Sequence, residues 1–206
     1  MNKDDDMLLN VLWSDEANFC LNGEVSALTG AIWRKTNPKI RITSPLHSTK
    51  LTVWIGFTAN FIIPPFFFES TVTGESYRDM LVTHCIPFLK QKRKLSKTIF
   101  MQDGAPPHVS NVSKEVLTRN FHQVISRHFS FGWPARSPDI NPCDFFLWGW
   151  LKRKIFSHKR YFSLDDLKKD ILAEIETFDK ELLHNVVASV PSRLEALINA
   201  KCGYFL

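Results

Sequence analysis

Three aspartates stand where chemistry could gather. Asp15 closes the apolar run Leu8–Ser14, Asp103 follows the run Lys97–Met101, and Asp144 opens a helical stretch just past Pro142-Cys143. Converging carboxylates suit hard divalent cations, which take oxygen ligands and keep water or phosphate in their remaining positions. Two such ions roughly 3.5–4 Å apart can activate a nucleophile and stabilise the leaving oxygen of an in-line phosphoryl displacement. A lone Asp in a loop more often caps a helix or shapes a turn, so position by itself assigns no role. Asp139, inside Ser137-Pro138-Asp139-Ile140-Asn141-Pro142, competes with Asp144 on those terms. Glu16 adjoins Asp15 but points to the opposite face if both lie on a strand, which makes it structural or a support to the acids.

The elements that must position these acids alternate between strand and helix. Leu8–Ser14 reads as a buried strand delivering Asp15 at its end. From Cys20 to about Lys50 the pattern breaks into Asn, Gly, Pro, Ser and Thr with Arg34, Lys35, Lys39 and Arg41, a connection long enough to be functional. Leu51–Thr58 and Phe61–Glu69 form a hairpin about Ala59-Asn60, with Pro64-Pro65 demoting the second run to an edge or bulge. Ser76–Leu89 has helical spacing and closes in Lys90-Gln91-Lys92-Arg93-Lys94, cations that suit a helix C-terminus on a solvated face. Lys97–Met101 is a strand, Gly104–Pro107 a turn, His108–Asn120 a helix and Val124–Ser126 a short strand. After a loop over Gly132–Pro142, helices are predicted from Asp144 to about Phe156 and from Ser163, with one or two more in the tail. Acid-tipped strands alternating with helices predict an α/β fold with its site at the strand ends.

Composition sets the bounds. The chain has 206 residues, enough for one sizeable core, and 17 Phe with 6 Trp make that core aromatic. A formal charge of +5 is compatible with a polyanionic partner. Cys20, Cys85, Cys143 and Cys202 form no C-x-x-C pair, so neither a zinc ribbon nor a disulfide framework is indicated. The acidic start Asp4-Asp5-Asp6 and the short apolar runs exclude a secretory signal and a bilayer span from this reading, which expects a soluble intracellular protein.

The residues around the acids carry a resemblance. Trp13-Ser14-Asp15-Glu16, Gln102-Asp103-Gly104-Ala105-Pro106-Pro107-His108 and Ser137-Pro138-Asp139-Ile140-Asn141-Pro142-Cys143-Asp144 resemble the three acid-bearing motifs of mariner-type transposases. Pro45-Leu46-His47-Ser48, Trp54-Ile55-Gly56 and Asp144-Phe145-Phe146-Leu147-Trp148-Gly149 are also similar to family features. The likeness runs from about Trp13 to the C-terminus. It implies a single RNase H-like α/β domain, a mixed five-stranded sheet flanked by helices with additional C-terminal helices. It also implies hydrolysis of DNA at element ends and joining elsewhere, in the nucleus, with two Mg²⁺ ions or Mn²⁺ as a substitute. Asp15, Asp103 and Asp144 then become the catalytic and metal-binding acids, Asp15 bridging both ions, and Asp144 is preferred over Asp139. The interval from Asp103 to Asp144 is longer than the family's usual one, which places a longer connection near Phe121–Phe131.

Further assignments come from the residues themselves and, for the loop and the missing module, from the resemblance. His108 could contact a phosphate or donate a bond to a carboxylate, or cap the helix it begins. Lys39, Arg41, Lys152, Arg153 and Lys154 are DNA-binding candidates, although charge runs are solvated surface about as often. Phe145, Phe146, Trp148 and Trp150 read as core rather than base-stacking residues. The loop at about 20–50 corresponds to the segment through which such enzymes reach a partner subunit, so a homodimer is expected through it. Only twelve residues precede Trp13, too few for the helix-turn-helix module of a full-length transposase, and recognition of element ends is expected to be missing from this chain. The rival reading is a catalytically inactive, transposon-derived or host-adopted DNA-binding or interaction protein. A nuclease of RNA–DNA hybrids is weaker still, because the motifs flanking the acids do not suit it.

Overall fold

The computed structural model describes residues 7–21, 49–157 and 159–200. The predicted loop at about 20–50, with Lys39 and Arg41, therefore falls mostly outside the described residues. Five strands form one mixed sheet: β1 (Val11–Cys20), β2 (Lys50–Phe57), β3 (Phe66–Phe68), β4 (Ile99–Met101) and β5 (Val124–Ile125), in the order β3-β2-β1-β4-β5. The pairs β1–β2 and β2–β3 are antiparallel, whereas β1–β4 and β4–β5 are parallel. The three-residue β3 lies at the edge, just after Pro64-Pro65, where two missing N–H donors cost no ladder bonds.

Side chains alternate across this sheet, and each face is buried. Leu12, Trp54 and Phe100 pack beneath α1 (Gly74–Met80), which continues through a π turn (Leu81–Cys85) into α2 (Ile86–Gln91), and beneath α3 (Asn111–Asn120). Val11, Trp13, Val53, Ile55, Ile99 and Met101 face the other layer, α4 (Trp148–Phe156), α5 (Leu164–Glu176), α6 (Lys180–Ala188) and α7 (Val190–Asn199). Burial on both faces explains why the central strands read as continuous apolar runs. The helices start where side chains can satisfy their first N–H groups: Thr73 and Ser76 form a capping box on α1, and Ser110, Ser163 and Asp179 cap α3, α5 and α6. Among the described residues no helix is long and apolar enough to cross a membrane.

Two expectations are corrected. Asp15 does not end its strand. β1 runs on to Cys20, because the ladder with β2 continues from Trp13↔Phe57 to Cys20↔Lys50 and Phe19 is fully buried. The helix expected from His108 begins only at Asn111, since residues 103–110 are held in a tight turn by bonds described below.

Candidate active site

Register brings the first two acids together. β1 and β4 are parallel with Trp13 opposite Met101, and Asp15 and Asp103 each lie two residues further along. The third acid comes from the opposite layer. Asp144 sits in a π turn (Cys143–Leu147) that leads into α4, a widened turn of a kind often found at functional sites. Asn141 sets its direction: the Asn141 amide donates to Asp144 Oδ2 at 2.9 Å, while its Oδ1 accepts from the Cys143 N–H at 3.2 Å. One turn further on, Trp148 Nε1–H donates to Asp15 Oδ2 at 2.7 Å. The motif ending in Asp144 thus orients two acids, and Trp148 combines core packing with a polar contact in the site. Asp139, by contrast, does not line the cleft that the acids share; its carbonyl accepts from Arg193 Nη1 at 3.0 Å.

The Gln102–His108 segment folds around buried polar contacts. Gln102 is fully buried; it accepts from the Tyr77 hydroxyl at 2.8 Å and donates to the His108 carbonyl at 3.0 Å and to Ser126 Oγ at 3.3 Å. Ser126 Oγ in turn donates to the Asp103 carbonyl at 3.0 Å. Asp103 Oδ1 accepts from the Ala105 N–H at 3.0 Å and pairs with His108 Nδ1 at 2.5 Å. The far nitrogen of the same ring lies 3.1 Å from Glu16, and its face packs on Tyr77 with centroids 4.4 Å apart. Glu16, on the opposite side of β1 from Asp15, therefore reaches Asp103 through His108. Gly104 lets the Arg127 side chain approach closely: a Cβ there would lie 2.9 Å from Arg127 Cδ, and the arginine would have to shift.

These contacts divide the charges. Burial and then the charges of Asp144 and Glu16 raise the Asp15 carboxyl well above its usual range, against the Trp148 hydrogen bond. Crowding of the carboxyl by the cleft walls, aided by the charge of Asp103, lifts Asp144 to about 6 although the residue reaches solvent, and the bonds with Asn141 and Asp15 oppose the rise. Burial would also raise Asp103, but the bond and charge of His108 outweigh it and hold the carboxyl low. For His108, burial favours the neutral ring; Glu16 and Asp103 overcome this and raise it to about 10, so it is an imidazolium at neutral pH.

Asp15, Glu16, Asp103 and Asp144 line one cleft of about 430 Å³, together with Arg127, Trp133, Arg136 and Asn141. As the side chains stand, each aspartate is turned to its hydrogen-bond partner, and among the described residues no three His, Cys, Asp or Glu side chains form a group arranged to hold a metal ion. Each carboxylate keeps an oxygen outside those bonds, and the donor set is wholly oxygen, the type that suits hard divalent ions. The basic candidates on α4 do not line this cleft. Lys152 lies over the Phe19 ring at 5.5 Å, Lys154 over Trp150 at 5.7 Å with Glu174 3.3 Å away, and Arg153 is exposed. The cations that reach the cleft, Arg127 and Arg136, escaped the sequence reading. Their signal was position alone, in the segment between the second and third acid motifs.

Comparison with known proteins bears on the family and the fold. The family model described as "DDE superfamily endonuclease" matches residues 10–168, and the chain belongs to that family. It is 27% identical over 194 residues to the Tc3 transposase of Caenorhabditis elegans, a match covering 93% of this chain and 56% of that protein. A Mos1 transposase paired-end complex with left transposon end superposes with a TM-score of 0.77 at 19% identity, covering all of this chain and 65% of the other. The Mos1 transposase catalytic domain solved with Raltegravir and Mg gives a TM-score of 0.72 at 21% identity, covering 97% and 87%. The fold is therefore the RNase H-like α/β arrangement that the motifs imply, and the chain spans just over half the length of its Tc3 relative.

The buried network yields a stability prediction. Gln102→Leu keeps the volume but strands the Tyr77 hydroxyl and the His108 carbonyl, and it should destabilise the protein by about 1–3 kcal/mol for each group left unpaired. Urea denaturation measures this, and a midpoint equal to the parent's would show that the network does not support the fold.

Proposed function

We propose that this chain is the catalytic domain of a DNA transposase that cuts and joins phosphodiesters. One observation carries the reading. Three aspartates from three separate motifs, all within the stretch matched by the endonuclease family, face a single cleft. Asp15, Asp103 and Asp144 would hold two Mg²⁺ ions, with Mn²⁺ as a substitute. When bound, such ions lower the pKa of water and stabilise charge on the attacking and leaving oxygens.

The remaining work falls to the chain's own groups. Trp148 fixes Asp15, Asn141 fixes Asp144, and the imidazolium of His108 holds Asp103 and Glu16 in place. Asp103, held low by His108, already carries its charge, and a cation arriving in the cleft would favour the charged forms of Asp15 and Asp144 as well. The presence of this supporting set favours the catalytic reading over an inactive DNA-binding remnant. The transposase reading takes DNA as the partner and the nucleus as the compartment where the protein would act.

Incubation with supercoiled plasmid and Mg²⁺ tests the proposal. The parent chain should nick DNA, and Asp103→Ala should lower the rate about a thousandfold, the loss of several kcal/mol of transition-state stabilisation. Equal activity in the two proteins, or none in either, would sink it. We also propose that the chain forms a homodimer through the segment at about 20–50. Deletion of residues 22–41 should then leave a monomer in sedimentation, and an unchanged oligomeric state refutes the dimer.

A further inference from the structure

We propose that Arg127 and Arg136 grip the DNA backbone beside the bond being cut, an inference that rests on the DNA-processing role proposed above. Both line the same cleft as Asp15, Glu16, Asp103 and Asp144. Yet among the described residues neither guanidinium forms an ion pair with a carboxylate. The partner that meets Glu16 and Asp103 is His108, buried between them. Two guanidinium groups facing an acidic cleft without pairing to it are suited to an anion that arrives from outside. A phosphodiester fits, because the planar fork of Arg bonds two phosphate oxygens at once.

The segments carrying these residues are held firmly. Arg127 follows buried Ser126, whose N–H donates to the Phe131 carbonyl at 3.0 Å, and its aliphatic stem packs on Gly104. Arg136 lies in a loop pinned at both ends. Trp133 meets Trp13 edge to face at 6.0 Å, and the Asp139 carbonyl accepts from Arg193. Arg136 itself has φ 57, a left-handed conformation that disfavours any side chain and would suit glycine. A turn selected only for its backbone gains nothing from arginine there. Strain of this sort at a cleft is what a presented functional group costs.

The competing reading makes Arg127 a packing residue and Arg136 an incidental turn residue. Arg136→Gly separates the two, because it relieves the backbone while removing the guanidinium. Binding of a labelled random-sequence DNA duplex is followed by fluorescence anisotropy over a range of salt, with Ca²⁺ present so that the acids do not repel the probe. Arg127→Gln and Arg136→Gln should each weaken binding roughly tenfold at low salt and reduce the slope of log K against log salt by about 0.9. Arg136→Gly should bind as weakly as Arg136→Gln while melting at the parent temperature or above. Arg119→Gln, which removes an exposed cation paired with Glu115, should bind as the parent does. If both cleft variants keep the parent's affinity and slope, the clamp is overturned and the catalytic assignment stands. If Arg136→Gly loses binding only in proportion to lost thermal stability, the residue is structural and the clamp is again overturned. A parent chain that does not bind the duplex at all would overturn the clamp and the DNA-processing role together.

Discussion

Four carboxylates held in one cleft repel each other, and most of the site can be read as a response to that repulsion. Two like charges about 4 Å apart cost on the order of 4 kcal/mol at the effective dielectric of a protein surface. The protein offsets this with one internal cation and two neutral donors. His108 balances Glu16 and Asp103, while Trp148 and Asn141 each give a hydrogen bond to one of the remaining acids. What is left over shows as the raised protonation range of Asp15 and Asp144. A site with surplus negative potential on those two residues is prepared for divalent cations, whose binding would replace repulsion with attraction.

The fold makes such a site possible by separating rigidity from adjustment. Asp15 lies in the central strand, two residues past the end of the parallel ladder with β4 and paired with Ile55 of β2, so its backbone is fixed by the antiparallel ladder. Asp103 follows the neighbouring strand by two residues and is locked through Gln102, Ser126 and His108. Asp144 stands apart on a π turn in the helical layer and is exposed. Aromatic packing ties that layer to the sheet, for Trp148 stacks edge to face on Phe19 while its indole N–H reaches Asp15. The large aromatic content is thus partly a means of setting distances between acids that come from different layers.

Much of this was legible in the sequence. The apolar runs gave the strands, Pro64-Pro65 marked the edge, and Ser163 marked a helix start, because each signal is local. The acid motifs were legible because tight turns and buried polar contacts demand particular residues in order, as Gln102, Gly104, His108 and Asn141 show. Other features depend on partners distant in sequence. That β1 runs past Asp15 follows from its pairing with residues 50–57, which the apolar run Leu8–Ser14 alone does not disclose. The contact between Glu16 and His108 needs the β1–β4 register, and the reach of Arg127 and Arg136 into the cleft needs the path of the 126–140 segment. The placement of the basic run on α4 away from the cleft was hidden for a similar reason, since charge along a helix does not tell which way the helix faces.

A single divalent-metal site held by Asp15, Asp103 and Asp144 is the proposal on which the function rests. Anomalous diffraction from crystals of the chain soaked in Mn²⁺ tests it most directly. Anomalous density should fall in the cleft, with oxygens of all three aspartates as ligands, and should vanish from an Asp103→Ala crystal. Manganese held elsewhere, or bound in the cleft unchanged without Asp103, would rule out such a site.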